Sequence, residues 1–187
     1  VDKRMFMRRI EAEKANLLLA NGSFDERWLQ TCGIKHTDTI PPGPIKEYLY
    51  LASALMEQGE VDEALQLLEQ LYRLADKADR TWDKVKVTIL QSMAFNCKGD
   101  MTNAVLNLEA ALQLAEPGNY IRSFVDEGAK MAGLLREYIR QGQINANRKP
   151  GSMRYARELL LLMSDHGNET ARSGALISKQ ELKIVRM

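Results

Sequence analysis

An all-α fold, a superhelical stack of antiparallel helix hairpins, is what this sequence predicts, and three observations carry the prediction. Apolar residues recur at intervals of three and four over long stretches, while strand-type alternation is almost absent. The stretches are separated by short breaks such as QGEVD (58–62) and KGDM (98–101), too tight for anything but helices that turn back on themselves. Two of these breaks also share one frame at a fixed distance, the mark of a repeated unit.

The elements follow in order. Apolar periodicity runs from Met5 to Leu19 and is interrupted at NGSFD (21–25). IPPGP (40–44) is the strongest breaker and forces an irregular connection before a helix that starts near Ile45. Periodic stretches then cover Ile45–Met56, Val61–Leu74, Val85–Cys97 and Met101–Leu114. Two later stretches read as irregular: GQINANRKPGS (142–152) and SDHGNETARSGA (164–175), the second small and polar enough to be a linker. Beyond it, Ser178 is a good helix N-cap, Glu181 completes a capping box, and Leu182, Ile184 and Val185 begin an apolar stripe. The expected division is a helical repeat domain over 1–163, a linker over 164–175, and the start of a further helical domain over 176–187 that is cut within its first helix. A chain that begins at Val1 and is amphipathic by Met5 fits the same expectation of a piece from something longer.

The shared frame is explicit in QGEVDEALQLLEQL (58–71) and KGDMTNAVLNLEAAL (98–112). Gly59 and Gly99 are separated by 40 residues, as are Ala64 and Ala104. Glycine permits the sharp exit from the first helix, and the small alanine lets the second helix approach closely. Ala52 and Ser92, seven residues before the glycines, supply the matching small face, and Ala15 with Gly22 reads as a decayed earlier copy. Three hairpins result, each burying its face on the next.

Composition narrows the function classes. The 187 residues are 45% hydrophobic and 27% charged, ordinary values for a folded chain, and a net charge of +1 supplies no overall field for nucleic acid or membrane. Cys32 and Cys97 are too few and too far apart for a disulfide framework, which fits a reducing cytoplasm. No secretory core and no apolar run near roughly 18 residues is present. Nine methionines against four phenylalanines suit an adaptable helical interior.

The frame resembles the tetratricopeptide repeat. With Ala64 and Ala104 on its small position, Ala52 and Ser92 take its other small position, Leu55 and Phe95 its aromatic site, and Leu68 and Leu108 its second large site. The usual tryptophan is missing, the closing proline is Asp76 in one copy and displaced to Pro117 in the other, and the period exceeds 34 residues, so the repeats are divergent. The order of segments, with AEPGNYIRSFVDEG (115–128) and then LISKQELKIVRM (176–187), resembles the repeat region of the large LuxR-type ATP-dependent transcription activators, of the maltose-regulon-activator kind. Leu176, Ser178, Gln180, Glu181, Val185 and Arg186 fit the opening of that family's helix-turn-helix domain. The resemblance implies an effector-sensing, protein-interacting region of a bacterial transcriptional regulator. Its partners would be a small-molecule effector or a protein, with DNA reached only through the rest of the helix-turn-helix domain. No G-x-x-x-x-G-K-[ST] occurs, so no cofactor is expected here, and ATP belongs on a separate NTPase module. A free-standing peptide-binding adaptor is the alternative, and an enzyme is not expected.

Several constellations were weighed for chemistry. Cys32 and His36 have helical spacing but no second pair of ligands, so metal binding is not favoured. His36 and His166 lack a nucleophile elbow and an orienting partner. Asp126-Glu127-Gly128 reads as a helix break with solvated carboxylates rather than an acid–base pair. Arg136, Arg140, Arg148, Lys149, Arg154 and Arg157 form a basic cluster, of which Arg148, Lys149, Arg154 and Arg157 are placed to approach DNA phosphates. In such a stack the first helix of each hairpin lines the concave face. The repeat frame then puts Arg9, Ala12, Asn16 and Leu19, Lys46, Leu49, Ser53 and Met56, and Lys86, Ile89, Met93 and Asn96 on the inward side. Within that lining the candidate effector or peptide site is Arg9, Asn16, Lys46, Leu49, Ser53, Met56, Lys86, Ile89, Met93 and Asn96.

Overall fold

A computed structural model describes residues 45–144 and 149–164 continuously, together with Met7, Ile10, Glu11, Lys14, Trp28, residues 33–35, Thr39 and Ile40. Among these residues there are helices and turns and no strand. The helices are α1 (Lys46–Gln58), α2 (Val61–Lys77), α3 (Thr81–Cys97), α4 (Met101–Ala115), a 3-10 turn (Glu116–Gly118), α5 (Ile121–Val125), α6 (Gly128–Ile144) and α7 (150–164). The hairpin centred on Gly22 and the segments over 165–187, including the expected linker and terminal helix, lie outside the described residues.

The four junctions from α1 to α5 are closed in one way. Gly59 has φ +83° and Gly99 has φ +79°. At the first, Glu60 N donates to Leu55 O (2.9 Å) and Gly59 N to Met56 O (3.2 Å). At the second, Asp100 N donates to Phe95 O (2.9 Å) and Gly99 N to Asn96 O (3.0 Å). Both are the Schellman closure, in which a left-handed residue folds two amides back onto the last free carbonyls of the helix. The junctions between hairpins repeat it without glycine. Asp79 (φ +50°) and Asn119 (φ +51°) hold the left-handed position. Arg80 N donates to Ala75 O (2.9 Å) and Tyr120 N to Ala115 O (3.3 Å). Left-handed residues therefore stand at 59, 79, 99 and 119, one every 20 residues, and the 40-residue repeat is two such helix–turn units. Asp and Asn are the side chains that tolerate this conformation best after glycine.

The core follows from the same register. On α2, Ala64, Leu67, Leu68, Leu71 and Ala75 are buried at helical spacing, leaving the opposite face polar. On α4 the equivalent stripe is Ala104, Val105, Leu108, Ala111, Leu112 and Ala115. Ala52, Ala64, Ser92 and Ala104 are all fully buried, as close approach of the paired helices requires. The Ser92 hydroxyl closes that approach by donating to Ala104 O at 2.8 Å. Helix α3 is central: it packs against α1, α2, α4, α5 and α6, and is apolar nearly all round. Ahead of α1, Trp28, Ile34 and Ile40 continue the core, Trp28 meeting Tyr50 edge-on at 4.4 Å.

Beyond α4 the structure adds a unit that the sequence reading did not set out as helices. On α6, Met131, Leu134, Leu135 and Tyr138 form a buried stripe against α4 and α3. On α7, Tyr155, Ala156 and Leu159 are buried, and Tyr155 meets Phe124 of α5 edge-on at 6.1 Å. The stretch 142–152, expected to be irregular, is helical to Ile144 and again from Pro150. Proline is at home in the first helical position, where its missing N–H costs nothing.

A Cβ at Gly59 or Gly99 would meet nothing within 4 Å, so substitution there is charged only for the backbone angle. Gly59→Ala and Gly99→Ala should each lower stability by about 1 kcal/mol in urea unfolding. Asn119→Ala should cost a similar amount and Asn119→Gly nothing. Equal effects of Ala and Gly at 119 would contradict the assigned turn.

Candidate functional site

The first helices α1 and α3 carry the predicted inward residues in matched register, and the structure sorts them by access. Lys46 is exposed at the start of α1, its ammonium 5.9 Å from the ring centre of half-exposed Trp82, an arrangement that favours a cation over an aromatic face. Ser53 is half-buried, with its hydroxyl turned back to Leu49 O at 3.2 Å. Met56 and Asn96, equivalent positions in the last turns of α1 and α3, are also half-buried. Leu49 (8% exposed), Ile89 (0%) and Met93 (9%) belong to the core, which corrects the expectation that they line an open face. The reason is the crowding of α3, which has neighbours on α1, α2, α4, α5 and α6 and few positions left for solvent. Arg9 and Asn16 lie outside the described residues.

Lys86 is inward-facing but already engaged. It donates to Ser123 O (3.2 Å) and to Glu127 Oε1 (3.0 Å) and is half-buried with its partner. This corrects the reading of 126–128 as a break with solvated carboxylates: the break is there, with Gly128 at φ +63°, but Glu127 is paired. Glu57, in the last turn of α1, pairs with Lys130, in the first turn of α6. Other charges fasten junctions. Lys84 on α3 reaches Asp76 (3.3 Å) and Asp79 (3.5 Å) at the end of α2. It thereby offsets two negative groups at the negative end of a helix. The hydrogen bond to Asp76 holds the Lys84 ammonium protonated above its usual range. Asp100 caps α4 by accepting from Asn103 N at 3.0 Å, and that bond lowers its carboxyl below the ordinary value. Burial raises the Asp83 carboxyl, with the Arg80 guanidinium at 3.0 Å opposing the shift.

The basic cluster does not form one free patch. Lys149 donates to Gln113 (3.0 Å) and Arg154 to Glu116 (3.1 Å), so two of its members dock α7 on the end of α4. Arg140 is turned onto Glu137 of its own helix, Arg136 and Arg157 are exposed, and Arg148 lies outside the described residues. Burial, with Glu158 and Glu116 nearby, pushes the Tyr155 hydroxyl up to about 12. Among the described residues no group of three or more His, Cys, Asp or Glu side chains could hold a metal ion, and no helix is long and apolar enough to cross a membrane. Cys32, His36 and His166 are outside them.

Hairpins closed by one turn type, with small residues at each helix contact, define a tetratricopeptide-like repeat protein. More narrowly, the chain belongs to the family described as the MalT-like TPR region, whose model matches residues 3–141. The matched stretch takes in α1 to α5 and most of α6, while α7 lies beyond it. No curated protein and no solved structure matches the chain significantly. Family membership supports a helical repeat region of the kind that senses or binds partners.

Glu137 offers a pH test. The hydrogen bond from Arg140, with a second from Gln141, lowers its carboxyl from the ordinary glutamate range to about 2. A lowered carboxyl stabilises the fold above its unfolded value of 4.5, and that contribution is lost as pH falls through about 2. The gap in Tm between the wild type and Glu137→Gln should therefore be open at neutral pH and close on acidification across that window. A gap of constant size would contradict the pairing.

Proposed function

We propose that this chain is the effector-sensing and coupling region of a bacterial DNA-binding transcriptional regulator of the large LuxR-type, ATP-dependent kind. Membership of the MalT-like TPR region family is the observation that carries the reading. The resemblance of LISKQELKIVRM (176–187) to a helix-turn-helix opening supports it, as does the polar, partly accessible set Lys46, Ser53, Met56 and Asn96 on the first helices. On this reading a small effector or a segment of a partner protein binds beside these residues. It shifts the protein toward the active state only by preferring that state. DNA is contacted through the remainder of the helix-turn-helix domain, ATP is bound by a separate module, and this region itself carries out no reaction.

Thermal-shift screening with sugars, other small metabolites and peptides tests the proposal. A ligand held at about a hundred times its Kd stabilises by ~2.7 kcal/mol, which for a chain of this size raises Tm by roughly 5–10 °C. Asn96→Ala should reduce the shift by half or more while leaving the unliganded Tm within about 1–2 °C, since Asn96 is only half-buried. Met93→Arg is unsuitable because it would test folding instead. A hit that shifts wild type and Asn96→Ala equally would move the site away from this face, and no hit in any class would count against sensing by this region.

A further inference from the structure

The junction between α5 and α6 is fastened differently on its two sides. On one side the contact is apolar: Phe124 is fully buried against Tyr155, and the α6 stripe packs on α4. On the other side it is ionic and runs through Lys86. In an unbroken helix the amide of Glu127 would donate to Ser123 O. Here that amide donates to Phe124 O (3.1 Å) and the Asp126 amide to Arg122 O (3.1 Å), which takes the helical donor away from the Ser123 carbonyl. Lys86 supplies the replacement at 3.2 Å and pairs with the Glu127 carboxylate at 3.0 Å. One ammonium thus satisfies both the carbonyl and the carboxylate that the break exposes. The Lys130–Glu57 pair, one turn further on, ties the start of α6 to α1, so the third unit is bound to the first helices of both preceding hairpins by charge.

We propose that this junction is an electrostatic clasp: Lys86 holds the α5–α6 break closed against α3, and loss of its pairing with Glu127 frees the break while the hairpins stay folded. Charge pairs of this kind weaken with salt and with any competing anion, whereas the apolar contacts on the α4 side do not. The clasp is a release point whatever the first helices bind.

Hydrogen exchange measured by mass spectrometry on the whole chain tests it. Glu127→Gln keeps the shape and removes the charge, Lys86→Met removes both donations, and Lys86→Arg keeps a donor to each acceptor. In Glu127→Gln and Lys86→Met, exchange of the amides over 121–130 should rise by about tenfold or more, with α1, α2 and α4 unchanged. Lys86→Arg should retain most of the protection, and raising salt to ~1 M should move the wild type in the same direction by less. Unchanged exchange over 121–130 in Glu127→Gln would overturn the proposal. An equal rise across α1 to α4 would do so too, because the pair would then serve global stability. If Lys86→Met does not fold, the Glu127→Gln comparison decides alone.

Discussion

The left-handed turn that ends each of the helices α1 to α4 is the constraint on which the rest depends. A residue with positive φ every 20 positions gives each helix a fixed length and sends the next one back at the same angle. Fixed length and fixed angle put Ala52 opposite Ala64, and Ser92 opposite Ala104, where only small side chains fit. Once those contacts are set, the leucines four residues beyond each alanine fall into the space between neighbouring helices. Leu68 and Leu108 are accordingly fully buried. The hydrophobic stripes supply the free energy, while the turns decide which stripe meets which.

Stacking on this register makes α3 the pivot. It takes contacts from the hairpin before it, from its own partner α4 and from α5–α6 after it. Its buried set accordingly includes Asp83, Thr88 and Ser92 as well as its aliphatic residues. Thr88 is satisfied through Lys84 O (2.7 Å) and Ser92 through Ala104 O (2.8 Å), so polarity inside the stack is paired locally. The stack then depends on charge mainly at its junctions, where Lys84, Lys86 and Lys130 each cross from one element to the next.

Much of this was legible in the sequence. The two glycines, the small residues and the leucine spacing identify both described hairpins because each letter answers a local steric demand. Asp79 and Asn119 were missed, since a left-handed Asp or Asn resembles any polar loop residue until its 20-residue offset from the glycines is noticed. Met131, Leu134, Leu135 and Tyr138 have clear helical spacing, and counting periodicity past Leu114 would have found α6. The site was less legible. Repeat register placed Lys46, Ser53, Met56 and Asn96 correctly on the first helices, but register alone does not say which neighbour covers a position. Ile89 and Met93 were therefore read as accessible, although the packing around α3 leaves them little or no exposed surface.

A chain of equal helix–turn units, each free to be biased by what sits beside it, suits a protein that transmits occupancy along its length. The claim beneath that picture is the shared backbone conformation at the four turns. Intraresidue amide-to-α-proton NOE intensities at Asp79 and Asn119, measured by NMR, test it most directly, because positive φ brings these two protons together. The account predicts intensities at both residues as strong as those at Gly59 and Gly99. Weak, helix-like intensities at Asp79 and Asn119 would show that the turns between hairpins are built differently, and the 20-residue unit would not stand.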